Sequence, residues 1–147
     1  MSKRFTDTEK WSDPWFRGLS PHYQRLWIFL LDKCDQAGVW VVDRELAEFF
    51  LKETVDLESA LAVFKDRVFA IKNGSKWFIP KFLVFQYGAL NDTSKPHNYV
   101  LRLLLSHEIE GYPKGINTLK DKDKDKDKDQ DKNNGAKIET WKPRVAR

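Results

Sequence analysis

The chain holds a single cysteine, Cys34, so no internal disulfide is possible and a reducing cytosol fits its chemistry. His22, His97 and His107 are scattered, and with one cysteine they make no ligand-spaced cluster, so neither a structural metal nor any cofactor is expected. No Gly-rich phosphate loop and no Gly-x-Ser-x-Gly sequence occurs. Glu108 and Glu110 come nearest to a carboxylate pair, but they fall near a helix end and read as solvated. The usual constellations of catalysis are therefore missing, and the expectation is a protein that is not an enzyme. The longest apolar run, Leu26 to Leu31, is far short of a membrane span. Met1 to Lys10 is too charged and polar for a signal peptide, so a cytoplasmic protein without a membrane partner is expected.

What the chain does have is unevenly placed. Hydrophobic residues make up 41% and aromatics 14%, enough for a real core, and only Trp141 among the aromatics lies beyond Tyr112. Net charge is +4, yet residues 1–119 carry 16 Lys/Arg against 15 Asp/Glu, while residues 120–147 carry 10 against 7. The basic total thus belongs mostly to the tail, which weakens it as a sign of nucleic-acid binding by the folded part. From Lys120 to Lys132 Asp and Lys alternate almost without a break. In a helix this pattern sets like charges at i and i+4. In a strand it makes one face all Lys and the other all Asp, with nothing apolar to bury. The segment is expected to stay disordered. The expected division is a folded domain over 1–115, a disordered linker over 116–136 and a short basic tail over 137–147, too short to fold alone.

Local signals order the folded part. Asp13-Pro14 reads as an N-cap followed by proline at the first helical position, opening a turn or two that Gly18 stops. Ser20-Pro21 repeats the signal for a longer helix. Tyr23, Leu26, Trp27, Leu30, Leu31 and Cys34 form its apolar stripe, and Gly38 is expected to be its left-handed stop. Val39 to Val42 is a short β-rich run. Asp43 caps a helix to about Leu51 that should bury Leu46, Ala47 and Phe50. Asp56 or Thr54 caps the next, with Leu57, Ala60, Leu61 and Phe64 inward. Arg67 to Lys72 and Lys76 to Pro80 should pair around Asn73-Gly74-Ser75. A three-residue loop puts Ile71 opposite Trp77 and Phe69 opposite Ile79, giving one continuous apolar face. A two-residue loop would mix the faces, so the three-residue register is expected. Lys81 to Tyr87 reads as a short helix ended by Gly88. Pro96 opens another to about Glu108, with Val100, Leu103 and Leu104 inward.

Helix, strand, helix, helix and hairpin, in that order, describe a winged helix-turn-helix: a mainly α fold with a small β-hairpin, here followed by further helices. In that scaffold the helix over 55–64 would meet a DNA groove. Its outward residues should be Asp56, Glu58, Ser59, Ala62 and Lys65, of which Ser59 can meet a base edge while the two acids repel phosphate. The hairpin is better placed electrostatically. Lys72 and Lys76 flank its tip, Asn73 sits on the tip, Lys81 follows, and Lys65 and Arg67 stand at the base. In the expected register Lys72 and Lys76 are cross-strand neighbours, a like-charge pair that a polyanion would relieve. Lys95, His97, Asn98 and Arg102 form a second polar and basic group. Trp77, Phe78, Phe82, Phe85 and Tyr87 suit core packing better than base stacking, and Cys34 on the helical stripe suits a buried hydrophobe better than a reactive thiol.

Several runs carry a family likeness: Phe5-Thr6-Asp7-Thr8, Asp13 to Arg17, Leu26-Trp27, Leu30 to Asp35, Ala37 to Trp40, Lys76 to Phe82, Phe85 to Gly88 and Leu90-Asn91. Over about residues 3–109 the chain resembles the N-terminal winged-helix domain of phage and prophage replication initiators, also called replisome organisers. The resemblance implies a domain that binds origin double-stranded DNA, often at repeated sites, in a bacterial host cell. It also implies recruitment of the host helicase or its loader by a further domain beyond a flexible linker, and it leaves room for an oligomer. Here only residues 133–147 follow the Asp-Lys repeat. The expectation is therefore a stand-alone origin binder or a shortened form. A copying slip within the six-nucleotide Asp-Lys coding repeat that shifted the frame would explain a shortened form, and the repeat is itself a candidate binding site. Two other jobs suit the same scaffold: a transcriptional regulator, and a protein–protein adaptor that never touches DNA.

Overall fold

A computed structural model of the chain describes residues 3–111 and the backbone of 144–145. The Asp-Lys repeat, and with it Lys137, Trp141, Lys142 and Arg147, lies outside the described residues. The described chain is mainly helical with a small three-stranded antiparallel sheet. It divides into two units at Ile79 and Pro80.

The first unit begins with a 3-10 turn, Thr8–Ser12, capped by Asp7, and a one-turn helix α1, Pro14–Gly18. The Asp13 carboxylate accepts from the Trp15 N–H at 3.0 Å, as the Asp-Pro signal predicts. Helix α2, Pro21–Lys33, buries Leu26, Trp27, Phe29 and Leu30. Side chains of this size stabilise by about 1.5–3 kcal/mol each when fully buried, so α2 is the axis of the unit. Cys34 follows it, buried as expected.

Gly38 is not the stop of α2, a correction to the sequence reading. The helix ends at Lys33 with an extended C-cap at Cys34, and Gly38 (φ 81°) instead closes a separate turn around Asp35. There the Asp35 carboxylate accepts from the N–H groups of Ala37 and Val39 at 2.8 and 3.0 Å. That Asx-type turn aims the chain into strand β1, Val39–Val41.

Helix α3, Arg44–Leu51, is capped by Asp43, and α4, Leu57–Val63, by Asp56. Between them Glu48 reaches forward to accept from the Val55 N–H at 2.7 Å. Arg25 donates to the Leu51 carbonyl at 2.6 Å and pairs with Glu53 at 3.0 Å, while His22 Nδ1 lies 2.6 Å from the same carboxylate. This polar clasp fixes the α3–α4 connection to α2. On its apolar side Phe64, fully buried, stands 5.4 Å from the Trp27 ring, 6.0 Å from Tyr23 and 6.1 Å from Trp15.

Strands β2, Phe69–Ile71, and β3, Lys76–Phe78, complete a sheet ordered β1-β3-β2. The register pairs Ile71 with Lys76, Ala70 with Trp77 and Phe69 with Phe78, one residue away from the register expected. The expectation assumed a sheet with a single apolar face. Here Trp77 and Phe78, on opposite faces of β3, are both fully buried, so alternation does not choose the register. The turn chooses it. Lys72 to Ser75 is an even, four-residue connection whose first three residues take left-handed φ of 52°, 57° and 85°. Asn and Gly accept that conformation readily; lysine does so at a cost.

The second unit contains α5, Pro80–Tyr87, ended by Gly88 in the left-handed region (φ 63°), and α6, Lys95–Ser106. Phe82, Leu83, Leu90, Val100, Leu104 and Ile109 are its buried apolar residues. Helix α6 stops short of Glu108, because Glu108 turns left-handed (φ 59°) and leads into a two-residue strand β4, Ile109–Glu110. Strand β5, Arg144–Val145, pairs with it antiparallel, so these two tail residues join a sheet where an unfolded tail is expected.

Candidate nucleic-acid interface

Helix α4 spends much of its polar chemistry on itself. The Asp56 carboxylate accepts from the N–H of Glu58 at 3.1 Å and of Ser59 at 3.4 Å. Ser59 donates its hydroxyl to the second Asp56 oxygen at 2.7 Å. The Ser59 hydroxyl, then its N–H, holds the Asp56 carboxyl below the usual range, so the charge persists. Ser59 therefore has no free hydroxyl proton to offer a base and keeps only acceptor capacity. Asp56, Glu58, Ala62 and Lys65 are exposed, as expected, and the face they form is more acidic than basic.

The basic residues divide by environment. The Arg67 guanidinium lies over the Trp15 ring at 3.9 Å from its centroid. Partial burial lowers its pKa, and the nearby Asp13 charge opposes that shift. Its planar head is thus a packing surface for the aromatic cluster. Lys65 is exposed at the α4–β2 turn. Lys72 and Lys76 are half-buried, and they are not cross-strand neighbours: Lys76 faces Ile71 across β2 and Val41 across β1, while Lys72 sits inside the turn. The like-charge strain expected between them is therefore not built into the ladder. The tip itself, Asn73-Gly74-Ser75, is exposed. It is closed by the Gly74 N–H on the Ile71 carbonyl at 3.0 Å and by both Ser75 donors on the Lys72 carbonyl, at 3.1 Å from N and 2.7 Å from Oγ.

Lys81, Lys95 and Arg102 belong to the second unit and are exposed there. Lys95 and Arg102 lie about two turns apart on one face of α6. His97 is used within the unit: its Nδ1 accepts from the Asn91 N–H at 3.0 Å and its ring meets Tyr87 edge-on at 5.7 Å. Trp77, Phe78 and Phe82 are buried, in keeping with core packing, while Phe85 is exposed.

The chain matches no protein-family model, no curated protein and no solved structure. No group of three or more metal-ligating side chains occurs among the described residues, and no helix among them is long and apolar enough to cross a membrane.

Two features escaped the sequence reading. Arg4 spans back to the end of α2, where Nη1 donates to the carbonyls of Leu31 and Asp32 at 2.8 and 3.0 Å and Nη2 donates to the Cys34 carbonyl. No local pattern announces a contact so distant in sequence. The second feature is α3. It buries Ala47 and Leu51, whereas Leu46, Phe49 and Phe50, of which Leu46 and Phe50 were expected inside, are 44%, 63% and 50% exposed. A signal for this was present. Five of its eight residues are apolar, more than one buried stripe needs.

Proposed function

We propose that the chain is a phage-type replication protein that binds origin double-stranded DNA through a winged helix, with α2, α3 and α4 as its helices and β2–β3 as its wing. The observation that carries this reading is the hairpin: an exposed Asn73-Gly74-Ser75 tip bracketed by Lys72 and Lys76, extending from a sheet ordered β1-β3-β2 directly after α4. Because Ser59 is tied to Asp56 and Arg67 to Trp15, the hairpin leads and α4 follows. Lys65, Lys72 and Lys76 supply phosphate contacts, and Asn73 is the side chain placed to enter a minor groove. Lys81, Lys95 and Arg102 are a second basic group available to a backbone.

The test is fluorescence anisotropy with duplex DNA from the chain's own gene, including the Asp-Lys coding repeat. Three phosphate contacts give a log–log salt slope near −2.7, so affinity should fall roughly 40-fold between 50 and 200 mM salt. Changing Lys72 and Lys76 to Glu should abolish binding with the fold intact. An unchanged affinity removes the hairpin from the site. Location separates initiator from transcriptional regulator: a site inside a replication gene favours the first, a promoter the second.

One observation favours a different reading. Asp56 and Glu58 are both exposed on the helix that would meet DNA, which suits an adaptor that contacts only protein. Absence of salt-dependent binding to any duplex would decide for it.

A further inference from the structure

Helix α3 buries Ala47 and Leu51 and leaves both of its phenylalanines and Leu46 exposed. Leu46, Phe49 and Phe50 fall at i, i+3 and i+4, one continuous stripe. From these exposures the three residues leave roughly 300 Å² of apolar surface uncovered, the size at which a patch on a monomer is often functional.

The stripe is charged differently at its two ends. At the C-terminal end Lys33 Nζ sits over the Phe50 ring at 4.9 Å and Lys52 Nζ over the Phe49 ring at 4.5 Å. Toward the N-terminal end the flank carries exposed Glu45, one turn before Phe49, while Arg44 is drawn toward Glu48 of its own helix at 3.8 Å. A stripe acidic at one end and basic at the other complements itself when turned end for end.

We infer that this face is the docking site of a second copy of the chain, the two α3 helices packing antiparallel about a two-fold axis. That arrangement sets Phe49 and Phe50 against their counterparts. It brings Glu45 of each copy to Lys52 of the other and opposes the helix dipoles. Two such stripes remove roughly 600 Å² of apolar surface from water, over a third of a standard interface, and the charged rim supplies the remainder. The inference does not rest on DNA binding.

The test uses the full chain in sedimentation equilibrium. The expected result is a reversible dimer with a dissociation constant in the micromolar range. Phe49→Glu should yield a monomer with unchanged helical circular dichroism, since the ring it removes is exposed. Glu45→Lys and Lys52→Glu should each weaken the dimer at least about tenfold. Mixed in equal amounts, those two variants should form a heterodimer tighter than either homodimer, because both cross-copy pairs are then opposite in sign. A wild-type chain that stays monomeric at about 200 µM overturns the inference. So does a dimer indifferent to Phe49→Glu, or a mixture of the charge variants that gains nothing.

Discussion

Removing the Arg4 guanidinium should loosen the end of the central helix, and Cys34 offers a way to watch it. Helix α2 ends without a glycine cap, so its last carbonyls need other partners. Arg4 supplies three of the bonds, to Leu31, Asp32 and Cys34. A charged donor to a carbonyl contributes about 1.5–3 kcal/mol in favourable cases. Arg4 is half-exposed and one nitrogen serves two carbonyls, which brings the sum for Arg4→Ala to about 2 kcal/mol, of which roughly 0.5 is attraction to the helix dipole. Arg4→Lys should recover that last part alone, because a single ammonium cannot bridge the three carbonyls.

Cys34 is the only cysteine, buried, with its thiol pushed up to about 12 chiefly by that burial. Near pH 8 it should react with Ellman's reagent only when the region opens. A loss of about 2 kcal/mol then speeds labelling about 30-fold. The sign is diagnostic. Arg4 also lowers the thiol pKa by its charge, and removing it makes the folded-state thiol still less reactive. Faster labelling therefore cannot come from a more acidic thiol, and the parallel fall in melting temperature separates opening from mere uncovering of the sulfur that Arg4 touches at 3.5 Å. The melting temperature should fall by roughly 8 °C in parallel. If Arg4→Ala labels no faster than wild type and melts at the same temperature, the clamp contributes nothing and the argument fails.

Two further changes probe the hairpin and the polar clasp. Gly74 has φ +85° and an added methyl would meet nothing within 4 Å, so Gly74→Ala should cost about 1 kcal/mol from backbone strain alone, lowering the melting temperature and, under the proposed function, leaving the salt slope of DNA binding unchanged. The Glu53 carboxyl is held below the usual range, first by its bond to His22 and then by Arg25; stability from it is therefore present above the ordinary glutamate pKa and lost as pH falls through the depressed value, so Glu53→Gln should be less stable than wild type near pH 6 and indistinguishable at the acid end of a pH–denaturation series.

Most of the fold was legible because it is written locally. The Asp13-Pro14 and Ser20-Pro21 pairs and the caps at Asp43 and Asp56 each act within one or two turns, and each appears where the sequence puts it, as do Leu26, Trp27 and Leu30 of the α2 stripe, though Phe29 outside that stripe is buried too. The failures share a cause, which is dependence on what lies across the fold. The hairpin register could not be read from alternation because β3 is covered on both faces. The orientation of α3 could not be read from its apolar count because two stripes compete, and the narrower one, Ala47 and Leu51, goes inward. Against α2 the small Ala47 permits close approach of the two helices, while Phe50 meets α2 only from the side, its ring 6.4 Å from that of Phe29.

The same logic reorders the candidate interface. In sequence Arg67, Lys65, Lys72 and Lys76 look like one basic cluster, and Ser59 looks like its base-reading companion. In the folded chain each polar group has first to meet the demands of its neighbours. Trp15 needs cover and takes the Arg67 guanidinium; the α4 N-terminus needs a cap, and Ser59 supports the residue that provides it. The residues left for a ligand are those whose backbone does the structural work while the side chain does not, and Asn73 is the clearest: the turn needs its left-handed φ, not its amide. A chain that reads DNA with this surface would draw most of its affinity from lysines and little from base contacts. Such binding should be strongly salt-dependent and only weakly sequence-selective per copy. Selectivity would then have to come from joining copies, since two weak readers held at a fixed spacing discriminate repeated sites far better than one. On this account Phe49→Glu, which leaves the hairpin lysines in place, should preserve affinity for a single site and abolish the preference for a pair.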